Sequence, residues 1–150
     1  MPRKYTMPAF LNDSVDPENY ERWLGRKAMA CVKRDRKRGH SAVTRALYKE
    51  DIHAAVLRSE GRDAYTGEEL DWKLISTYKN EDSKVGKHGY KSEFALLPTV
   101  DHVGAGTIKA RFCICSWRTN DAKNDLSPSA FVALCRKVLE HAGYSVTKHG

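Results

Sequence analysis

Asp101 and His102 stand side by side, and Asn120 and Asn124 follow downstream, four positions apart. Residues of these types can hydrolyse a phosphodiester. An imidazole titrates near physiological pH and can take a proton from an attacking water. One carboxylate with one or two amide oxygens is a sparse set of hard ligands. Such a set suits Mg²⁺ or Mn²⁺, which keep several waters and accept a phosphate oxygen. We therefore expect His102 to act as general base and Asp101, Asn120 and Asn124 to hold the metal. Each residue also has a plainer use. A lone His near a strand end is commonly a hydrogen-bonded structural residue, and Asn is well suited to caps and turns. Adjacent strand residues point to opposite faces, so Asp101 and His102 approach one phosphate from different sides unless the strand is ending there.

The elements that would position these residues are an extended hairpin and a helix. Residues 94–100 lead into Asp101-His102, Gly104-Ala105-Gly106 makes a turn, 111–117 is a second extended apolar run, and 118–125 reads as a short helix. In that helix Asn120 and Asn124 share a face. Ser127 and Pro128 then cap and start a final amphipathic helix over 128–142, with Phe131, Leu134, Cys135, Val138 and Leu139 on its buried face.

Upstream, residues 1–15 read as an irregular lead-in. Asp16 caps a helix over 17–37 that starts on Pro17 and Glu18, with Tyr20, Trp23, Leu24, Ala28, Met29 and Cys31 on or near an apolar stripe. Its later half is loaded with cations, ending in Lys33, Arg34, Arg36, Lys37 and Arg38. That run is either a solvated face complementing the helix dipole or a surface that tracks phosphates, and the downstream pattern favours the second. After a polar break over 39–45, Tyr48, Ile52, Ala55 and Val56 mark an amphipathic helix ending at Gly61, in which His53 is expected to be structural or on the surface. Residues 63–68 are turn-like, 70–75 alternate like a short strand, and 77–92 form a polar loop.

A chain of 150 residues with 41% hydrophobic content builds one modest core. An excess of 26 Lys+Arg over 19 Asp+Glu, net +7, favours polyanionic partners, because each neutralised phosphate releases condensed counterions. The polar, basic start of the chain lacks the apolar core of a secretory signal, and no later run is long enough to cross a bilayer. We expect a soluble, cytoplasmic protein without membrane association. Cys31, Cys113, Cys115 and Cys135 give neither a Cys-x-x-Cys pair nor a disulfide framework, and Cys113 and Cys115 read as small core residues on one side of a strand.

The sequence around Pro98-Thr99-Val100-Asp101-His102-Val103, followed by Trp117-Arg118-Thr119-Asn120-Asp121-Ala122-Lys123-Asn124, resembles the Asp-His…Asn…Asn/His core of HNH endonucleases. The resemblance covers roughly residues 61–126. It implies an α+β fold, mostly helical, with a central ββα-metal motif flanked by N-terminal helices and a C-terminal helix. It also implies that His102 activates water while Asp101 and Asn120 bind one divalent metal, with Asn124 completing or buttressing the site. Asp63-Ala64-Tyr65-Thr66-Gly67 is similar to the family's Cys-x-Tyr-Thr-Gly segment, with Asp63 where zinc-binding members have Cys. The Cys-x-x-Cys-Asn-x-x-Lys element keeps its Asn and Lys here but lacks both thiolates, so no structural zinc is expected. Arg118 and Lys123 are candidates to contact phosphate, with ordinary surface charge as the alternative.

The expectation is thus a basic helical region over 1–60, an HNH core over 61–126 and a terminal helix over 127–150 in one compact domain, cleaving DNA with a single Mg²⁺ or Mn²⁺. A homodimer would explain double-strand cleavage by a domain with one site. The alternatives are a catalytically silent DNA-binding module of the same fold and an effector that cleaves RNA.

Overall fold

A computed structural model describes residues 5–77, 93–104 and 111–149. Helix α1, Pro17–Lys37, starts as its sequence dictates. The Asp16 carboxylate accepts from the Asn19 amide at 2.9 Å, Pro17 occupies the first turn, and three basic residues fill the last. Tyr20, Trp23, Leu24, Ala28, Cys31 and Val32 form its buried stripe, which extends to a buried Asp35, whereas Met29 lies at the exposed margin. Helix α2, Arg45–Ser59, is capped by Thr44, and the expected Tyr48, Ile52, Ala55 and Val56 form its buried face. It ends before Gly61. Glu60 and Gly61 both adopt left-handed backbone, and Gly61 lets the chain turn back beneath Phe10.

The 70–75 segment is not a strand. Leu70 and Trp72 are buried, but the backbone turns through Leu74 N–H to Asp71 O and Ile75 N–H to Trp72 O into a short helix α3, Leu74–Thr77. Alternating burial in so short a stretch suits a turn over the core as well as a strand. The expected polar loop continues into residues 78–92, which lie outside the described residues, as do 105–110 of the expected glycine turn. The lead-in contributes more than an arm. Tyr5, Leu11 and Val15 are buried, with one 3-10 turn at Ala9–Leu11.

Among the described residues the sheet is one antiparallel hairpin of β1, Pro98–Gly104, and β2, Arg111–Ser116. Val100 faces Ile114, Asp101 faces Cys113 and His102 faces Phe112, with a register shift after His102. The first strand begins at Pro98; residues 94–97 turn instead, closed by Leu97 N–H to Phe94 O. One face of the hairpin packs on α2, and β1 also touches α1. The architecture is α+β, mostly helical with a small antiparallel sheet.

The chain divides into two compact units, 1–120 and 121–150. Helix α4, Trp117–Lys123, follows β2 without a break, its start capped by Ser116, whose hydroxyl accepts from the Thr119 amide at 3.0 Å. It ends earlier than expected. Asn124 lies beyond it in left-handed backbone, φ 53°, a conformation Asn tolerates well, so it does not continue the helical face of Asn120. Helix α5, Pro128–His141, is capped by Ser127 as expected, but its apolar face is not buried. Leu134, Cys135, Val138 and Leu139 are exposed, and Phe131 is half-buried. Helical periodicity identifies an apolar face, but burial requires another surface to pack on it.

Candidate functional site

Asp101 and His102 point to opposite faces of β1. On one side, the Asp101 carboxylate accepts a hydrogen bond from the Tyr65 hydroxyl, with the Cys113 thiol 3.8 Å away, and the residue is 5% exposed. The carboxylate and burial together push the Tyr65 phenol well above its ordinary pKa, burial first, so Tyr65 is a firm donor to Asp101. On the other side, the His102 ring stacks on Phe112 with centroids 4.7 Å apart and meets Tyr48 edge-on. Its Nδ1 is 3.4 Å from Oδ2 of Asp35, and its side chain is only 4% exposed.

Asp35 is the site residue that sequence reasoning missed. It lies in the middle of the basic run of α1 yet is fully buried, and its Oδ2 also accepts a hydrogen bond from the Tyr48 hydroxyl. Its other oxygen, Oδ1, has no hydrogen-bond partner among the described residues. The available signal was one acid among five cations over residues 33–38, on the helix face that carries Cys31 and Val32. Burial, helped by the Asp35 carboxylate, raises the Tyr48 phenol above its usual range and keeps it a donor.

The Tyr65 turn is held in place by Asp63. One carboxylate oxygen accepts from the Tyr65 amide at 2.7 Å and the Thr66 amide at 3.1 Å, and the other accepts from the Ser116 amide at 2.9 Å, at the junction of β2 and α4. Burial pulls the Asp63 carboxyl upward, but these donors outweigh it and hold the group below the usual carboxylate range. Ala64 N–H to Ile114 O at 2.9 Å adds a backbone tie along β2.

Asn120 opens from α4 into a cleft of about 680 Å³, whose lining includes Thr99 and, from α1, Arg22, Arg26 and Lys27. Thr99 shares its strand face with Asp101, two residues on. Asn120 thus shares a cleft with Thr99, whose strand face also carries Asp101, and His102 lies on the other face of β1. Arg118 is exposed and ion-paired with Glu68. Lys123, 3% exposed, and Asn124 belong to the second unit. Lys33, Arg34, Arg36 and Lys37 line a shallow depression on α1, and Arg38 caps that helix. His53 is partly buried against Tyr20 and Tyr5. Its Nδ1 is 2.7 Å from the Tyr20 hydroxyl, and burial lowers its pKa.

Among the described residues no three His, Cys, Asp or Glu side chains converge. A site of one carboxylate and one amide oxygen does not require such a cluster, since Mg²⁺ takes its remaining ligands from water and phosphate. No helix of the described residues is long and apolar enough to cross a membrane. Comparison with family models, with curated proteins and with solved structures finds no match for this chain.

Proposed function

We propose that this chain is a metal-dependent endonuclease of the HNH type that hydrolyses phosphodiester bonds in DNA. One observation carries the reading: an antiparallel hairpin with Asp101 and His102 on its first strand runs directly into a helix whose Asn120 lines a cation-bordered cleft. Asp101 and Asn120 are the residues that would hold Mg²⁺ or Mn²⁺, and their donor set of hard oxygens fits either ion. When bound, the metal supplies charge stabilisation for the phosphorane and the leaving oxygen. Because Asp101 and His102 lie on opposite faces of β1, one phosphate meets both only past the register shift where the strand ends. There His102 takes the proton of the attacking water at its Nε2, with Asp35 against Nδ1 favouring the tautomer that leaves Nε2 as the acceptor. Tyr65 and Asp63 keep Asp101 in place through the network described above.

The enclosure of the His102 side chain favours a second reading, a nucleic-acid-binding module that keeps the hairpin and helix without turnover. Incubating supercoiled plasmid with the purified protein in Mg²⁺, Mn²⁺ or EDTA, beside His102→Ala, separates the two. Metal-dependent nicking or linearisation that His102→Ala abolishes is the expected result. Salt-sensitive DNA binding with no cleavage in any metal would replace the nuclease by the binding module, and preferential cleavage of RNA would reassign the substrate.

A further inference from the structure

The cleft beside Asn120 has the composition of a receptor for a polyanionic strand. Arg22 and Arg26 are one helical turn apart on α1, Lys27 follows, and Trp117 and Asn120 border the same space. Arg22 is partly satisfied by Glu18 at 3.5 Å. The other two cations lack such a partner. Lys27 donates to the neutral Thr99 hydroxyl at 3.2 Å, and among the described residues neither Lys27 nor Arg26 forms an ion pair with a carboxylate. Burial, chiefly, lowers the Lys27 pKa, which reflects an ammonium that has given up water without gaining a counter-charge. An anion entering the cleft offsets that cost, and an extended one also reaches Arg26 and Arg22.

We propose that this cleft seats the phosphodiester backbone of one nucleic-acid strand, with Lys27 and Arg26 on consecutive phosphates and the Trp117 ring against the adjoining sugar or base. Cations that follow a backbone beside an aromatic surface are how proteins hold a strand without reading its sequence. The more obvious basic run at Lys33, Arg34, Arg36 and Lys37 lines a shallow depression with no aromatic or amide side chain among its described lining, so it offers charge alone. The cleft also adjoins Asn120, so a strand lying in it passes the proposed metal ligand. The inference rests on the nucleic-acid part of the functional reading and not on turnover, so it applies equally to a module that only binds.

The test is fluorescence anisotropy of a labelled DNA duplex and of its single strand, in EDTA and over a range of KCl concentrations. The proteins are wild type, Arg26→Ala, Lys27→Met and Lys37→Ala. Arg26→Ala and Lys27→Met should each weaken binding about 5-fold or more at low salt and reduce the salt slope by about 1, with Lys37→Ala changing affinity less than about 2-fold. Arg26 is exposed, so its variant keeps the fold and carries the decision if Lys27→Met is unstable. Wild-type affinity and slope in Arg26→Ala would overturn the proposal. So would a tryptophan-fluorescence response to inorganic phosphate in a protein that binds neither oligonucleotide, since the cleft would then hold a free anion and not a strand. Loss of binding in Arg26→Ala, with no metal-dependent cleavage by wild type, would end the nuclease reading and leave the cleft assignment standing.

Discussion

Asp35 and His102 lie 67 positions apart in sequence, and their Oδ2 and Nδ1 atoms are 3.4 Å apart inside the protein, beneath the ring of Tyr48. A buried carboxylate on one imidazole nitrogen fixes ring orientation and tautomer and raises the basicity of the other nitrogen. If the chain is the proposed nuclease, Asp35→Asn should lower kcat for plasmid cleavage about 10-fold or more while KM stays within about 2-fold, because in that reading the substrate meets His102 and not Asp35. Tyr48→Phe, which keeps the carboxylate, should lose less. The ¹⁵N shifts of His102 report the tautomer directly. Equal kcat in Asp35→Asn and wild type would make this contact purely structural.

For the proposed nuclease, removing the metal should stop turnover and leave DNA binding in place. With EDTA, cleavage should fall to background, and Asp101→Ala should need a higher Mn²⁺ concentration for half-maximal activity than wild type, since it removes the one carboxylate of the proposed ligand pair. Isothermal titration with Mn²⁺ checks the affinity without reference to activity. Unchanged Mn²⁺ affinity in Asp101→Ala would remove that residue from the metal site.

Asp63 should govern the acid stability of the 63–66 turn. Its folded pKa is depressed, so its stabilisation is fully present above the unfolded carboxylate value and disappears as pH falls through the folded one. Asp63→Asn turns one accepting oxygen into a donor facing a backbone N–H, and should cost about 2 kcal/mol at neutral pH. The variant should therefore lose less stability than wild type between neutral and strongly acid pH. Urea unfolding at several pH values measures this.

Truncating apolar side chains should have opposite consequences in the first helix and the last. Leu24→Ala, at a fully buried position of α1, should cost about 2–5 kcal/mol through lost burial and a cavity. Leu139→Ala, 42% exposed on α5, should change stability by less than about 0.5 kcal/mol. Denaturant midpoints of the two variants give the comparison. A cost at Leu139 like that at Leu24 would mean that the apolar face of α5 is covered in solution.

Local chemistry was legible in the sequence wherever neighbours along the chain decide the outcome. Asp16-Pro17 and Ser127-Pro128 start helices because a side-chain oxygen and a fixed φ act within one turn. The 3.6-residue period of Tyr48, Ile52, Ala55 and Val56 identified a face that α2 does bury. The same period on α5 misled, because a helix face is buried only when a partner surface exists, and no local pattern encodes the partner. Asn124 left the expected helical face for the same kind of reason, as a residue that accepts left-handed backbone at a helix end. Tertiary structure alone decided that Asp35, amid the cations of α1, turns inward to His102, that Tyr65 reaches Asp101, and that Arg26 and Lys27 share a cleft with Asn120. Each of these contacts joins segments far apart along the chain, and folding sets their separation by packing α1, α2 and the hairpin together, which residue type and spacing do not specify.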